Sequence, residues 1–145
     1  MDITVVKPVE TTDQLDEAHK IRKEVFVKEQ NCPEDIEWEF EEESHHFLAT
    51  VNNIAAGTAR WRETENGIKL ERFAVLKEFR NKKIGSALLK TILNDVPRDG
   101  RKIYLHAQIS AKDFYLKHLF KPEGENFWEA DIEHVKMVFN TEALS

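Results

Sequence analysis

Apolar residues recur at two different periods along this chain of 145 residues, and each change of period marks a new element. The run "ITVVKPV" opens it as a strand. In "TTDQLDEAHKIRKEVFVKEQ" the residues Leu15, Ala18, Ile21, Arg22, Val25 and Phe26 fall at helical spacing, and Thr11 with Gln14 fits a capping box. A first helix is predicted there, ending before Pro33. Three strand-like runs follow, "HHFLATV", "IAAGTARWRE" and "IKLERFAVL", which should form an antiparallel meander. Asn52 and Asn53 separate the first two; "ENG" separates the last two, and its Asn66-Gly67 pair predicts a type I′ hairpin.

The third run leads straight into "KKIGSALLKTILND", where Ile84, Ala87, Leu88, Thr91 and Ile92 make one apolar stripe and Pro97 forces an end. "RKIYLHAQI" reads as a strand, "SAKDFYLKHLF" as a short helix capped by Ser110, and "ENFWEA" with "IEHVKMVFN" as a final hairpin. A strand, a crossover helix and a strand make the strands on either side of the second helix parallel. The predicted class is α+β: a mixed, mostly antiparallel sheet with a central parallel strand pair, flanked by helices. No repeat, low-complexity run or linker interrupts it, so a single domain is expected over residues 1–145.

Charge narrows the partners. Charged residues make up 33% of the chain and hydrophobic ones 41%, with a formal net charge of −6. That balance argues against general affinity for nucleic acid or an anionic membrane surface, which needs clustered Lys and Arg. The amino terminus is too briefly apolar for a signal peptide, and no stretch approaches the roughly 20 apolar residues of a spanning helix, so a cytoplasmic protein is expected. The lone Cys32 excludes an internal disulfide framework, and "NCPED" carries no signature of a nucleophilic cysteine. The Glu run in "EFEEESHH" reads as a solvated loop rather than a metal site.

Against that acidic background, Arg80, Lys82 and Lys83 cluster where a strand turns into a helix. The first turn of a helix leaves backbone N–H groups unpaired, and with the helix dipole these make an anion site. Cations at that end oppose the dipole unless an anion is supplied. With Gly85 letting a ligand approach the backbone, the turn suits a pyrophosphate. Neither G-x-x-x-x-G-K-[ST] nor G-x-G-x-x-G is present, so this is not a nucleotide loop of those kinds.

The order of elements and the residues of "RNKKIGSALL" resemble the GNAT family of acetyl-CoA-dependent N-acetyltransferases, whose phosphate motif runs Arg or Gln, two residues, Gly, one residue, then Gly or Ala. Arg80, Lys83 and Gly85 occupy those places, Lys83 departing from the usual glycine. "AKDFYLKHLF" is similar to the family's A-x-x-F-Y-x-x-x-G-F, with Leu119 at the glycine. "FAVLKEFR", "IRKEVFVKEQ" and "IEHVKMVF" extend the likeness over nearly the whole chain. The resemblance implies that the backbone of Phe73, Ala74 and Val75 pairs with the pantetheine arm of acetyl-CoA, and that Arg80, Asn81, Lys82, Lys83, Ile84, Gly85 and Ser86 hold its pyrophosphate. No metal is implied.

Direct acetyl transfer to an amine needs the ammonium deprotonated, the oxyanion stabilised and the departing thiolate protonated. By resemblance Tyr115 supplies the last proton and a backbone N–H near Val75 the oxyanion contact. Glu71, on the strand expected beside the cosubstrate, is the candidate base. Of His45 and His46 only one can face inward, and His46 with Glu29 is assigned to the acceptor. Glu34, Asp35, Glu37, Glu39 and Glu41 to Glu43 would attract a cationic amine on that side, whether a small molecule or a protein amino group. The protein is expected to act as a monomer or homodimer. Two readings of another class stand beside this one: a non-catalytic acyl-CoA sensor, and an interaction domain sharing only the fold.

Overall fold

A computed structural model describes residues 2–31 and 40–140. In chain order the elements are β1 (Thr4–Pro8), α1 (Thr12–Arg22) with a π-helical continuation (Lys23–Glu29), β2 (His45–Val51), β3 (Ile54–Thr64), β4 (Gly67–Val75) and α2 (Ile84–Asp95). Then come β5 (Ile103–Gln108), α3 (Lys112–Lys117), β6 (Phe120–Pro122), β7 (Phe127–Glu129) and β8 (Ile132–Phe139). The strands form one mixed sheet ordered β1-β2-β3-β4-β5-β8-β6, with β7 paired to β8. The pairings given by register are antiparallel except β4 with β5, so the predicted class stands. Among the described residues no helix is long and apolar enough to cross a membrane.

The chain divides into two compact units. The first is Met1–Arg62 with Arg72–Pro97. Here the capping box forms as the sequence predicts: Gln14 N–H donates to Thr11 Oγ1 at 3.1 Å, and the Gln14 side chain accepts from Thr11 N at 3.0 Å. The helix then widens into its π-helical continuation instead of simply ending, which the 3.6-residue spacing gave no means of seeing. Asn52 (φ 51°) and Asn53 (φ 70°) make the tight turn from β2 to β3. Buried Ile84, Leu88, Leu89 and Ile92 line one side of α2, each removing enough apolar area to contribute about 2 kcal/mol. Gly57 on β3 lets that helix close in, because a Cβ there would stand 3.0 Å from Ile84 and 3.1 Å from the Ala74 carbonyl. Glycine is favoured by close packing here, not by dihedral.

The second unit is Glu63–Glu71 with Arg98–Ser145. Its parallel ladder sets Ile68, Leu70 and the intervening Lys69 against Ile103, Leu105 and Tyr104. β5 continues antiparallel to β8, which also carries β6 and β7. Ile68, Leu70, Ile103, Leu105, Val135 and Met137 are buried. Two expectations fail here. The turn into β4 uses Glu65 and Asn66, and only Gly67, at φ +132°, is left-handed, so it is not type I′. Gly67 is required because a Cβ would meet the Lys102 carbonyl at 2.2 Å. Ser110 does not cap α3: a short 3-10 turn (Ile109–Ala111) carries it, and the cap position is Ala111 without a side-chain hydrogen bond.

Candidate functional site

In the first unit β4 ends at Val75, a 3-10 turn (Lys77–Phe79) follows, and the chain passes Arg80 in an extended conformation before α2 begins. Asn81 (φ 68°) and Lys83 (φ 62°, ψ 26°) are both left-handed. Such residues turn successive N–H groups toward one side, the arrangement that binds anions. Lys83 is the N-cap of α2, yet its side chain makes no capping hydrogen bond, and the first turn contains no acidic residue. The helix therefore begins without the side-chain acceptor that ordinarily satisfies its first amides. An outside anion fits that vacancy in the hydrogen-bonding scheme. Lys83 holds a conformation that costs a non-glycine residue about 1–2 kcal/mol.

The cations are arranged differently from the sequence expectation. Arg80 donates both terminal nitrogens to Glu29, each at 2.8 Å, and its Nε to the Val75 carbonyl at 3.0 Å. Arg80 and Glu29, assigned from sequence to the two different ligands, thus form one pair joining the end of the π-helical segment to the end of β4. The hydrogen bond from Arg80 holds the Glu29 carboxyl below its ordinary range. Lys82 pairs with Asp2 at 2.9 Å. Arg80 and Lys82 are thus each matched by a carboxylate of the same unit.

Phe73, Ala74 and Val75 close β4; Ala74 is buried and the other two half-buried. Just before them Arg72 takes φ 58° inside the strand, a local irregularity of the kind that re-aims the residues after it. His46 is the inward histidine of the "SHH" pair, while His45 stacks on Trp61 with ring centres 4.0 Å apart. His46 donates from Nε2 to the Glu41 carbonyl at 3.0 Å, and burial pushes its imidazole down. The Glu41 carboxylate meets Arg22 at 2.5 Å, Arg60 at 2.9 Å and His19 at 2.6 Å. Burial alone would raise the Glu41 carboxyl, but the Arg22 hydrogen bond and charge override it and hold it low. Both arginines are 1% exposed, so this cluster belongs to the core. Its one sequence signal was Arg22 lying on an apolar helical stripe.

In the second unit Glu71 pairs with Lys69 at 3.4 Å, both side chains largely covered. Tyr115 is buried on α3, edge-on to Phe114 at 5.0 Å and to Phe120 at 5.8 Å between ring centres. Burial pushes its phenol well above the ordinary tyrosine value, so it is held protonated. Leu119, at the second departure from a glycine, is also left-handed at φ 71°. His106 on β5, with Glu129 and His134 near it, was not singled out from sequence. The available signal was period-2 alternation, which puts Tyr104, His106 and Gln108 on one face.

Cys32, Glu34, Asp35, Glu37 and Glu39 lie outside the described residues. Among the described residues no group of three or more His, Cys, Asp or Glu is placed to hold a metal ion.

Residues 7–141 match the family model described as the acetyltransferase (GNAT) domain. YjcF of Bacillus subtilis (strain 168), an uncharacterized N-acetyltransferase, is 38% identical over 130 residues, covering 87% of this chain and 92% of the relative. The crystal structure of Escherichia coli ElaA matches with a TM-score of 0.80 at 25% identity, over 94% of this chain and 99% of that one. An aminoglycoside 6'-N-acetyltransferase solved in complex with coenzyme A shares the fold, with a TM-score of 0.74 at 16% identity over 92% of this chain and 95% of that one.

Proposed function

The chain belongs to the GNAT family of acetyltransferases, and from that premise we propose that it moves acetyl from acetyl-CoA directly to a primary amine. The observation that carries the reading is the opening of α2: two left-handed residues, an N-cap without a side-chain acceptor and a first turn without acid. Amides of residues 81–86 hold the pyrophosphate, and the end of β4 at Phe73–Val75 lies along the pantetheine arm. Acetyl-CoA supplies the thioester; the chain orients it and moves protons. Tyr115 protonates the departing thiolate, and its burial ensures that the phenol enters the step with its proton in place. Glu71 is one candidate to accept the ammonium proton.

Glu29 takes part through Arg80, which it anchors beside the pyrophosphate loop, while His46 is held with Glu41 in the core cluster and so bears on the acceptor only indirectly. The acceptor is a cationic amine of a small molecule or protein, met in the cytoplasm by a single acetyltransferase domain, with no metal. The sensor alternative rests on the Lys83 and Leu119 departures, as marks of a decayed site. Both residues nevertheless keep the left-handed backbone that glycine would adopt, which favours a working site.

Calorimetric titration with acetyl-CoA, followed by thiol-release assays over a panel of small amines and amino-terminal peptides, tests the proposal. Saturable binding with amine-dependent thiol release is expected. Binding without release across the panel supports the sensor, and no binding supports an interaction domain.

A further inference from the structure

The second unit contains a side-chain arrangement that neither pyrophosphate binding nor thiolate protonation uses. The parallel ladder joins Ile68–Leu70 to Ile103–Leu105, and the next residues along the two strands are Glu71 and His106. Two aromatic rings fix the His106 imidazole: Phe127 edge-on at 4.9 Å and Tyr104 tilted at 5.9 Å, between ring centres. Tyr104 is itself tied by a 2.6 Å hydrogen bond to Thr64. His106 Nδ1 is buried without a hydrogen-bond partner among the described residues, and Glu129 Oε1 is 3.5 Å away. The side chain is 26% exposed, so with Nδ1 shut in, Nε2 is the nitrogen that reaches solvent.

We propose that His106 is the base that takes the proton from the acceptor ammonium through Nε2, and that Glu129 positions it by drawing the Nδ1 proton toward its carboxylate. This rests on the acetyl transfer proposed above. A carboxylate beside Nδ1 favours the tautomer with hydrogen on Nδ1, which leaves the Nε2 lone pair free to accept. Contraction of the 3.5 Å gap to hydrogen-bonding distance is the kind of tightening catalytic pairs undergo when substrate binds. Glu71, the next residue on β4, has its charge already matched by Lys69 at 3.4 Å, whereas an imidazole is the side chain best suited to exchange protons near neutral pH. The other charged groups around this patch are His134 and Lys136 from β8 and Lys69 from β4, whose charge also acts on Glu129. His134 Nε2 is 3.7 Å from the second Glu129 oxygen, while its Nδ1 donates to the Ile132 carbonyl at 2.7 Å. Lys136 stands over the Tyr104 ring, 5.0 Å from its centre.

In the step, the ammonium gives one proton to His106 Nε2, which passes it to solvent. The freed nitrogen lone pair forms the N–C bond at the thioester carbonyl of acetyl-CoA. The tetrahedral adduct loses a second N–H proton and collapses with breakage of the C–S bond, and the thiolate takes a proton from Tyr115. Tyr115 is restored by the second nitrogen proton, so the products are the amide, the free thiol and one proton in solution.

Two folded variants test this, His106→Gln and Glu129→Gln, each checked by thermal melting and by acetyl-CoA titration. Single-turnover acetylation should slow by about 10²- to 10⁴-fold in His106→Gln, with acetyl-CoA affinity unchanged and the acid limb of the pH–rate profile lost. Glu129→Gln should slow it less. Nitrogen-15 NMR of His106 in the protein without acetyl-CoA should show hydrogen on Nδ1 of the neutral ring, shifting toward Nε2 in Glu129→Gln. If His106→Gln fails to fold, the rate and tautomer of Glu129→Gln decide. Wild-type turnover in either folded variant, or hydrogen on Nε2 of the neutral wild-type ring, overturns the assignment and leaves the acetyltransferase reading intact. Wild-type protein that binds acetyl-CoA and acetylates no amine overturns both.

Discussion

The two units offer a ligand different kinds of chemistry. In the first, the proposed groups are main-chain amides at the start of α2, and the nearby cations Arg80 and Lys82 are paired with Glu29 and Asp2. In the second, the proposed groups are individual side chains, the buried phenol of Tyr115 and the imidazole of His106. Work done by the backbone tolerates a change of residue so long as the dihedral survives, which is how Lys83 can stand at φ 62° where the family usually has glycine. Work done by a side-chain proton tolerates no such change, because one heavy atom carries it. Variants in the first unit should therefore move affinity, and variants in the second should move rate.

The contrast is most exposed to failure at Gly85. A Gly85→Asp variant adds a carboxylate in the first turn of α2, and acetyl-CoA binding should fall below detection by calorimetry while the melting temperature stays near that of the wild type. Undiminished affinity in the folded variant would remove the anion site from this loop.

Next in size is Tyr115→Phe, which keeps the ring against Phe114 and Phe120 and removes only the hydroxyl. Single-turnover acetyl transfer should drop by about 10²- to 10⁴-fold with acetyl-CoA affinity unchanged. A variant that runs at the wild-type rate makes Tyr115 a core aromatic only, and a weaker binder would blur the division between the units.

Arg80→Ala should weaken acetyl-CoA binding by about 1–3 kcal/mol, since it leaves the Glu29 carboxylate uncompensated beside the pyrophosphate loop. Titrations at rising salt should show the loss shrinking. Glu29→Gln sharpens the point: if Glu29 merely anchors Arg80, its loss should cost less than the loss of Arg80.

The smallest effect, and the most diagnostic of sign, is Lys83→Gly. Relief of the left-handed conformation is worth about 1–2 kcal/mol, offset by about 0.5–1 kcal/mol of extra glycine entropy in the unfolded chain. A slightly higher melting temperature with nearly unchanged acetyl-CoA affinity is expected. A fall in melting temperature would mean that the lysine side chain stabilises the loop in a way its backbone does not reveal.

Local signals in the sequence were enough for the sheet, the parallel pair, the capping box and the strand-to-helix turn before α2. Each depends on neighbours a few residues apart: the alternation in "HHFLATV", the stripe from Ile84 to Ile92, Thr11 with Gln14, and the residues from Arg80 to Gly85. Local signals misled where a distant atom made the decision. Gly67 is fixed by the carbonyl of Lys102, so the Asn66-Gly67 pair did not form the turn its own preference favours. The pairing of Arg80 with Glu29, the core cluster of Arg22 and Arg60 on Glu41, and the approach of Glu129 to His106 were beyond reach for the same reason. Each joins residues at least 19 positions apart, and a long side chain has no period by which to be found. The sequence by itself determined the order and kind of the elements, because hydrophobic period is a local property. Only the tertiary structure decided which charges are already matched, because ion pairing depends on distances in space that folding alone sets.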